Sequence, residues 1–290
     1  MAGTAKSRWI TETLYETEGF TCGFRADKVL YEEETSQQHL VIFENMLFGR
    51  MMALDGITQV TERDEFIYHE MMTHVPVLAH GQARRILIIG GGDGGILREV
   101  TRHKKVEHVT MVEIDPAVTD FCKKQLPQIS AGAFDDPRLN LVFADGAKFV
   151  EETMDRYDVI IVDSTDPIGP GEVLFREEFY RAAQARLAPG GVIVTQNGVP
   201  FMQGAELKST MEKFRRLFNV ATCYLATIPT YVGGPMAMGW GTDDETLREV
   251  PLDELEKRFA EAGFTTRYYT PEVHRAAFAL PRYVQDYVAV

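Results

Sequence analysis

From residue 85 onward, short apolar runs alternate with longer stretches of helical character. RILIIG precedes a glycine loop and GGILREVTRH; HVTMVEID precedes PAVTDFCKKQL; LNLVFAD precedes GAKFVEETM. YDVIIVD is followed by a loop and REEFYRAAQARL, and GGVIVTQ by AELKSTMEKFRRLF. The short runs are apolar on both faces, as buried parallel strands are. The alternation predicts an α/β fold built on a doubly wound sheet. NVATCYLATIPT and PMAMGWGT predict a final antiparallel strand pair.

The N-terminal stretch is patterned differently. HLVIFE and FGRMMALD read as strands separated by NMLFG, and Asp55-Gly56 is a hairpin signal before ITQV. TERDEFIYHEMMTHVPVLAH then predicts a helix, with Thr61 as N-cap and Asp64 three residues on. Ile67, Met71 and Val75 follow at helical spacing, and Pro76 is expected to end or kink the helix. A boundary near residue 80 divides a small N-terminal β domain (1–80) from an α/β domain (81–290).

Composition narrows the choices. The 290 residues are 45% hydrophobic and 25% charged, enough for a large core. No run approaches the roughly 20 apolar residues of a membrane span. The stretch MAGTAKSRWITETLYE lacks the apolar centre of a signal peptide, so the expected location is the cytoplasm. Cys22, Cys122 and Cys223 are far apart and predict reduced thiols, with neither a disulfide nor a zinc framework. The net charge of −13 favours solubility and suits cationic ligands; it argues against nucleic acid, which needs a basic face. His69 and His74 invite a zinc reading, but at i, i+5 they stand roughly 140° apart on a helix, so no metal is expected. The pairs Met51-Met52 and Met71-Met72 read as core filling, and KSTMEKFRR as a solvated helix face.

In an open α/β sheet, ligands bind beyond the carboxyl ends of the strands. Acids gather there. Residues 90–95, GGGDGG, fit G-x-G-x-x-G but place Asp93 where a dinucleotide enzyme would hold pyrophosphate. A carboxylate there repels phosphate and attracts an ammonium group; its bland alternative is a helix N-cap. Glu113 lies about 20 residues past the loop, where an acid can hold both ribose hydroxyls, and Asp145 could receive an adenine amino group. DSTDP supplies Asp163 and Asp166 at i, i+3. A nucleoside bearing positive charge, next to a site for a diamine or other cation, is the ligand set that these acids suit. One of them could take a proton from an attacking amine, provided the site lowers the amine's pKa or the proton leaves as the new bond forms.

The segments LDGITQVTERDEFIYHEMMTHVP, IIGGGDGG, MVEID, DSTDPIGPGE, TQNG and TIPTY, in this order, resemble the polyamine aminopropyltransferases, nearest their bacterial spermidine synthase branch. The resemblance spans essentially the whole chain. It implies a methyltransferase-like (Rossmann-like) α/β domain preceded by a small β domain. It implies transfer of the aminopropyl group of decarboxylated S-adenosylmethionine, a co-substrate and not a cofactor, to putrescine, with spermidine and 5′-methylthioadenosine as products. By resemblance, Gln38, Glu113, Asp145, Gly146 and Pro170 hold the nucleoside, and Gln59 and Tyr68 line the junction between the substrates. The resemblance also implies that Asp93 binds the amine of the aminopropyl arm and that Asp163 is the proton acceptor, with Asp166 beside it. His69, Gln196 and Tyr231 border the polyamine channel, with Trp9 at its far wall. A homodimer or homotetramer and a lid near residues 170–180 are further implications. Some members carry Gln where this chain has His69, which leaves putrescine, cadaverine, agmatine and spermidine open as acceptors. An S-adenosylmethionine methyltransferase and a non-catalytic polyamine or nucleoside sensor are the other readings; a dehydrogenase conflicts with Asp93.

Overall fold

The computed structural model describes residues 8–35, 38–167 and 169–289. A two-stranded ribbon, β1 (Arg8–Glu12) and β2 (Cys22–Ala26), leads into an antiparallel sheet of β3 (Lys28–Glu34), β4 (His39–Asn45), β5 (Gly49–Leu54) and β6 (Ile57–Thr61). Asp55 and Gly56 both have positive φ, at 50° and 78°, as the predicted tight hairpin between β5 and β6 requires. Helix α1 (Glu65–His80) follows. The chain then alternates: β7 (Arg85–Gly90), α2 (Gly95–Thr101), β8 (His108–Glu113), α3 (Pro116–Gln125), the single turn α4 (Pro127–Ser130), β9 (Leu139–Phe143), α5 (Gly146–Glu152), β10 (Tyr157–Asp163), α6 (Glu177–Ala185), β11 (Leu187–Gln196), α7 (Pro200–Leu217), β12 (Val220–Ala226) and β13 (Met236–Thr242). Three helices close the chain: α8 (Leu252–Ala262), α9 (Pro271–Ala277) and α10 (Arg282–Val288).

β7 to β13 form one sheet in the order β12-β13-β11-β10-β7-β8-β9. The five strands from β7 to β11 run parallel, and β13 is antiparallel to both β11 and β12. This is the doubly wound α/β sheet that the sequence predicts, with the antiparallel pair at one edge. Ile86 and Ile88 face a core with α1, α2, α8 and α9, while Leu87 and Ile89 face one with α5, α6, α7 and α10. The strands are buried on both sides for that reason, except β9, which is an edge strand and stays half exposed.

Chain order reverses between β7 and β10, so the crevice at their carboxyl ends is the topological switch point where such folds bind ligands. The N-terminal sheet closes one side of it. Leu40, Ile42 and Met52 pack against Val118, Cys122 and Ile129 of α3 and α4, which fixes β4 and β5 beside the crevice. The methionine pairs are core residues, as predicted.

Two local expectations are corrected. Pro76 neither ends nor interrupts α1, which continues to His80 and stops at Gly81, a left-handed residue whose N–H returns to Val77 O. A proline inside a helix costs about 3 kcal/mol; burial of Val75, Pro76, Val77 and Leu78 in the core offsets that cost. Thr61 is the last residue of β6 and not the N-cap. Asp64 takes the cap position, and Thr61 Oγ1 donates to Asp64 Oδ1 at 2.6 Å. Asp64 Oδ2 accepts from the Thr230 N–H at 2.8 Å and from the Thr230 hydroxyl, tying the start of α1 to the loop that carries Tyr231.

Candidate active site

The cleft at the switch point is lined by residues from five strand ends and from the N-terminal sheet. Gln38, Gln59, Tyr68, His69, Asp93, Glu113, Asp145, Gly146, Asp163, Asp166, Gln196 and Tyr231 all line it, so the structure brings these predicted residues together. Trp9 does not: it lies on β1, is 59% exposed and is not among the lining residues, whereas Glu12, Leu14 and Tyr15 just after it are. The side chain of Pro170 lies outside the described residues.

The glycine loop owes its shape to close neighbours. Gly90 has φ of 83°, and a Cβ there would meet the Asp163 carbonyl oxygen at 2.0 Å. The loop backbone therefore presses against the end of β10, which brings Asp93 and Asp163 to the same end of the cleft. Asp93 Oδ1 accepts from Gly95 N–H at 2.7 Å, the bond expected of a helix-start carboxylate. Asp93 Oδ2 lies 3.4 Å from His69 Nε2. One oxygen accepts from the first residue of α2, whose N-cap is Gly94 and not Asp93, and the other lies towards His69 at the cleft.

His69 is 2% exposed, and its Nδ1 lies 2.6 Å from Glu65 Oε2. Burial opposes a charge on the ring, but the carboxylates of Asp93 and Glu65 outweigh it and push the imidazole up to about 10. Two carboxylates thus favour the protonated ring at neutral pH, with Nδ1 towards Glu65 and Nε2 towards Asp93. Its charge in turn keeps Asp93 below the usual carboxylate range despite burial. Asp163 goes the other way: burial, then the Asp93 charge, raise it to about 6, against His69 and a 2.6 Å hydrogen bond from Tyr68 Oη to Oδ1. Burial and the Asp163 charge hold the Tyr68 hydroxyl protonated, so it stays a donor.

At the β8 end, Glu113 Oε1 accepts from Asp115 N–H at 2.8 Å, and burial pushes the carboxyl up to about 7. Asp145 caps α5, accepting from Ala147 N–H at 2.9 Å. Farther along, Gln203 Nε2 donates to Asp166 Oδ1 at 2.6 Å, and Gln203 Oε1 accepts from Tyr15 Oη and from Val199 N–H, each at 2.9 Å. Burial raises Asp166 against the hydrogen bonds from Gln203 and Gln196. Gln196 Oε1 is buried with no hydrogen-bond partner among the described residues. The Tyr231 hydroxyl donates to Gln59 O, and its ring meets that of Tyr68 edge-on at 6.3 Å.

Glu12, Tyr15 and Gln203 belong to this site and were not anticipated. Gln203 sits where α7 departs from helical geometry, at φ −117° and ψ 34°. The predicted helix starts at Ala205, but α7 begins at Pro200, and this added turn carries Gln203 to Asp166.

His74, five residues after His69, faces elsewhere. Its Nδ1 lies 2.9 Å from His103 Nε2 and its Nε2 lies 3.0 Å from Glu99 Oε2, fully buried on another side of α1.

Residues 65–252 match the spermine/spermidine synthase domain, and residues 8–62 match the spermidine synthase tetramerisation domain. A polyamine aminopropyltransferase of Ruegeria sp. (strain TM1040) is 62% identical over 97% of this chain and 98% of its own. Polyamine aminopropyltransferase 1 of Pseudomonas aeruginosa is 59% identical over 94% and 95%. A solved spermidine synthase in complex with the transition state analogue AdoDATO superposes with a TM-score of 0.91 at 37% identity, over 98% of this chain and 97% of that one. The spermidine synthase of Thermotoga maritima superposes with a TM-score of 0.89 at 35% identity, over 98% and 95%.

Proposed function

The chain belongs to the spermine/spermidine synthase family of polyamine aminopropyltransferases, and is a transferase; on that premise we propose that it moves the aminopropyl group of decarboxylated S-adenosylmethionine to putrescine. The observation that carries this reading is the convergence of Asp93 and Asp163 at one cleft, beside a glycine loop that would otherwise suit phosphate.

Glu113 takes the ribose hydroxyls, and Asp145 with Gly146 and Gln38 frames the adenine side. Decarboxylation leaves the co-substrate with a sulfonium and an ammonium and without its carboxylate. Asp93 attracts that ammonium and repels intact S-adenosylmethionine. The diamine lies between Tyr68, Tyr231 and Gln196, with Asp166 beside it. Its free amine attacks the carbon next to sulfur; a C–N bond forms, the C–S bond breaks and neutral methylthioadenosine leaves. The amine proton goes to Asp163. A free alkylammonium has a pKa of roughly 10, so the neighbouring sulfonium and the cationic His69 help by disfavouring a second ammonium there. Alignment and a good leaving group carry the displacement, and no metal or cofactor is assigned a step.

The match of residues 8–62 to a tetramerisation domain, with Met46 and Leu47 exposed in the turn between β4 and β5, supports a homo-oligomer, dimer or tetramer. Three unpaired cysteines suit a reducing, cytoplasmic setting. The functional test is product analysis. Protein incubated with decarboxylated S-adenosylmethionine and putrescine, cadaverine, agmatine or spermidine is expected to release methylthioadenosine and form spermidine fastest with putrescine. A faster rate with another amine reassigns the acceptor, and methylation in place of aminopropyl transfer overturns the reaction.

A further inference from the structure

Glu65 does not line the cleft, yet it holds a residue that does. Its Oε2 lies 2.6 Å from His69 Nδ1, one turn later on α1. Arg98 of α2 grips the same carboxylate from behind, with Nη2 2.9 Å from Oε2 and Nη1 3.2 Å from Oε1. Arg98 is itself pinned: Nη1 donates to Ile129 O at 2.6 Å and Nε to Glu99 Oε1 at 2.7 Å. Charge alternates along this line, from Asp93 through His69, Glu65 and Arg98 to Glu99. The ring has little freedom, because it rests on Gly95, where an added Cβ would lie 2.2 Å from the ring.

We propose that Glu65 is a positioning residue for the transfer reaction: anchored by Arg98, it takes the Nδ1 proton of His69 as a hydrogen bond and so presents Nε2–H to the Asp93 oxygen that Gly95 leaves free. Without Glu65 the ring loses one of the two carboxylates that hold its charge and the acceptor that fixes Nδ1, so Nε2–H is presented to Asp93 less firmly and the ring loses its charge at a lower pH. The cleft would lose part of the orientation of Asp93 and, as pH rises, the cation beside the attacking amine. The groups that face His69 are Glu65 from its own helix, Asp93 from the β7–α2 loop and, through its charge, Asp163 at the end of β10, with Arg98 behind Glu65.

The inference rests on the proposed reaction, so its test has one readout that needs no turnover. Ring 15N signals of His69 followed against pH report its protonation in the ligand-free protein. The wild-type ring is expected to remain an imidazolium up to about 10, and Glu65→Gln to lower its titration midpoint by at least one pH unit. The second readout is a double-mutant cycle on kcat/KM for decarboxylated S-adenosylmethionine. Glu65→Gln is expected to lower it about tenfold or more with His69 present, and less than about twofold in a His69→Gln background, where residue 69 carries no charge. Glu65→Asp, which keeps the charge but withdraws the carboxylate, serves if the glutamine variant does not fold, and should show the same dependence on His69. An unshifted His69 titration, or equal losses in both backgrounds, overturns the role of Glu65. Absence of transfer by the wild-type protein overturns the proposed function instead.

Discussion

Tyr68 Oη donates a 2.6 Å hydrogen bond to Asp163 Oδ1, joining the N-terminal end of α1 to the end of the strand at the switch point. The bond favours the ionised carboxylate, against the burial that raises Asp163 to about 6. Only above that value is Asp163 able to take a proton, so the acid limb of kcat/KM is expected near pH 6 in the free enzyme. In the kcat profile, which reports the enzyme–substrate complex, cationic ligands move it lower. Tyr68→Phe should move the kcat/KM limb to higher pH. Loss of a hydrogen bond to a charged group, about 1.5–3 kcal/mol, should lower kcat roughly tenfold to a hundredfold. A pH–rate series on both proteins checks this.

The same carboxylate is expected to cost stability. Its folded pKa lies above that of an unfolded aspartate, so the folded state binds the proton more tightly and stability declines as pH rises through about 4 to 6. Asp163→Asn should therefore raise the stability of the ligand-free protein at pH 8, by on the order of 1–2 kcal/mol. The gain should shrink towards pH 5, where wild-type Asp163 becomes protonated. Thermal denaturation at the two pH values measures it.

Asp93 is assigned the choice between two sulfonium nucleosides that differ by one carboxylate. Calorimetric titration should find decarboxylated S-adenosylmethionine bound more tightly than the intact compound by about a hundredfold or more. Asp93→Asn should compress the ratio to within about tenfold, mainly by weakening the decarboxylated ligand. An unchanged ratio would remove Asp93 from that role.

Gly95 closes the G-x-G-x-x-G pattern, and the His69 ring occupies the space of its missing Cβ. Gly95→Ala should leave the helix intact, since alanine is the better helix former, but displace the ring from Asp93. We expect kcat/KM for the co-substrate to fall at least tenfold (about 1.4 kcal/mol) with an unchanged far-ultraviolet circular dichroism spectrum.

Much of this site is legible in the sequence because strand ends fix it. Once RILIIG, HVTMVEID, LNLVFAD and YDVIIVD are recognised as parallel strands, Asp93, Glu113, Asp145 and Asp163 must gather on one rim. Residues that reach the cleft from elsewhere leave no such trace. Glu12 and Tyr15 arrive from a separate ribbon and Gln203 from a kinked first turn of α7. No short spacing encodes those encounters, whereas Glu65 stands one helical turn before His69 and is legible as an i, i+4 pair. Pro76 does not end α1, because helix propensity is a local quantity and burial of α1 is not. The helix α8 could have been found: Leu252, Leu255 and Phe259 mark one face of LDELEKRFAEA.

The measurement that bears most directly on the account is methylthioadenosine release from decarboxylated S-adenosylmethionine and putrescine by wild type and Asp163→Asn side by side, with co-substrate binding measured on both. The account predicts turnover by wild type and a loss of about a hundredfold to ten-thousandfold in kcat for Asp163→Asn with binding retained, the scale of a general base. Equal release by both proteins would contradict it, because the proton of the attacking amine would then have another destination.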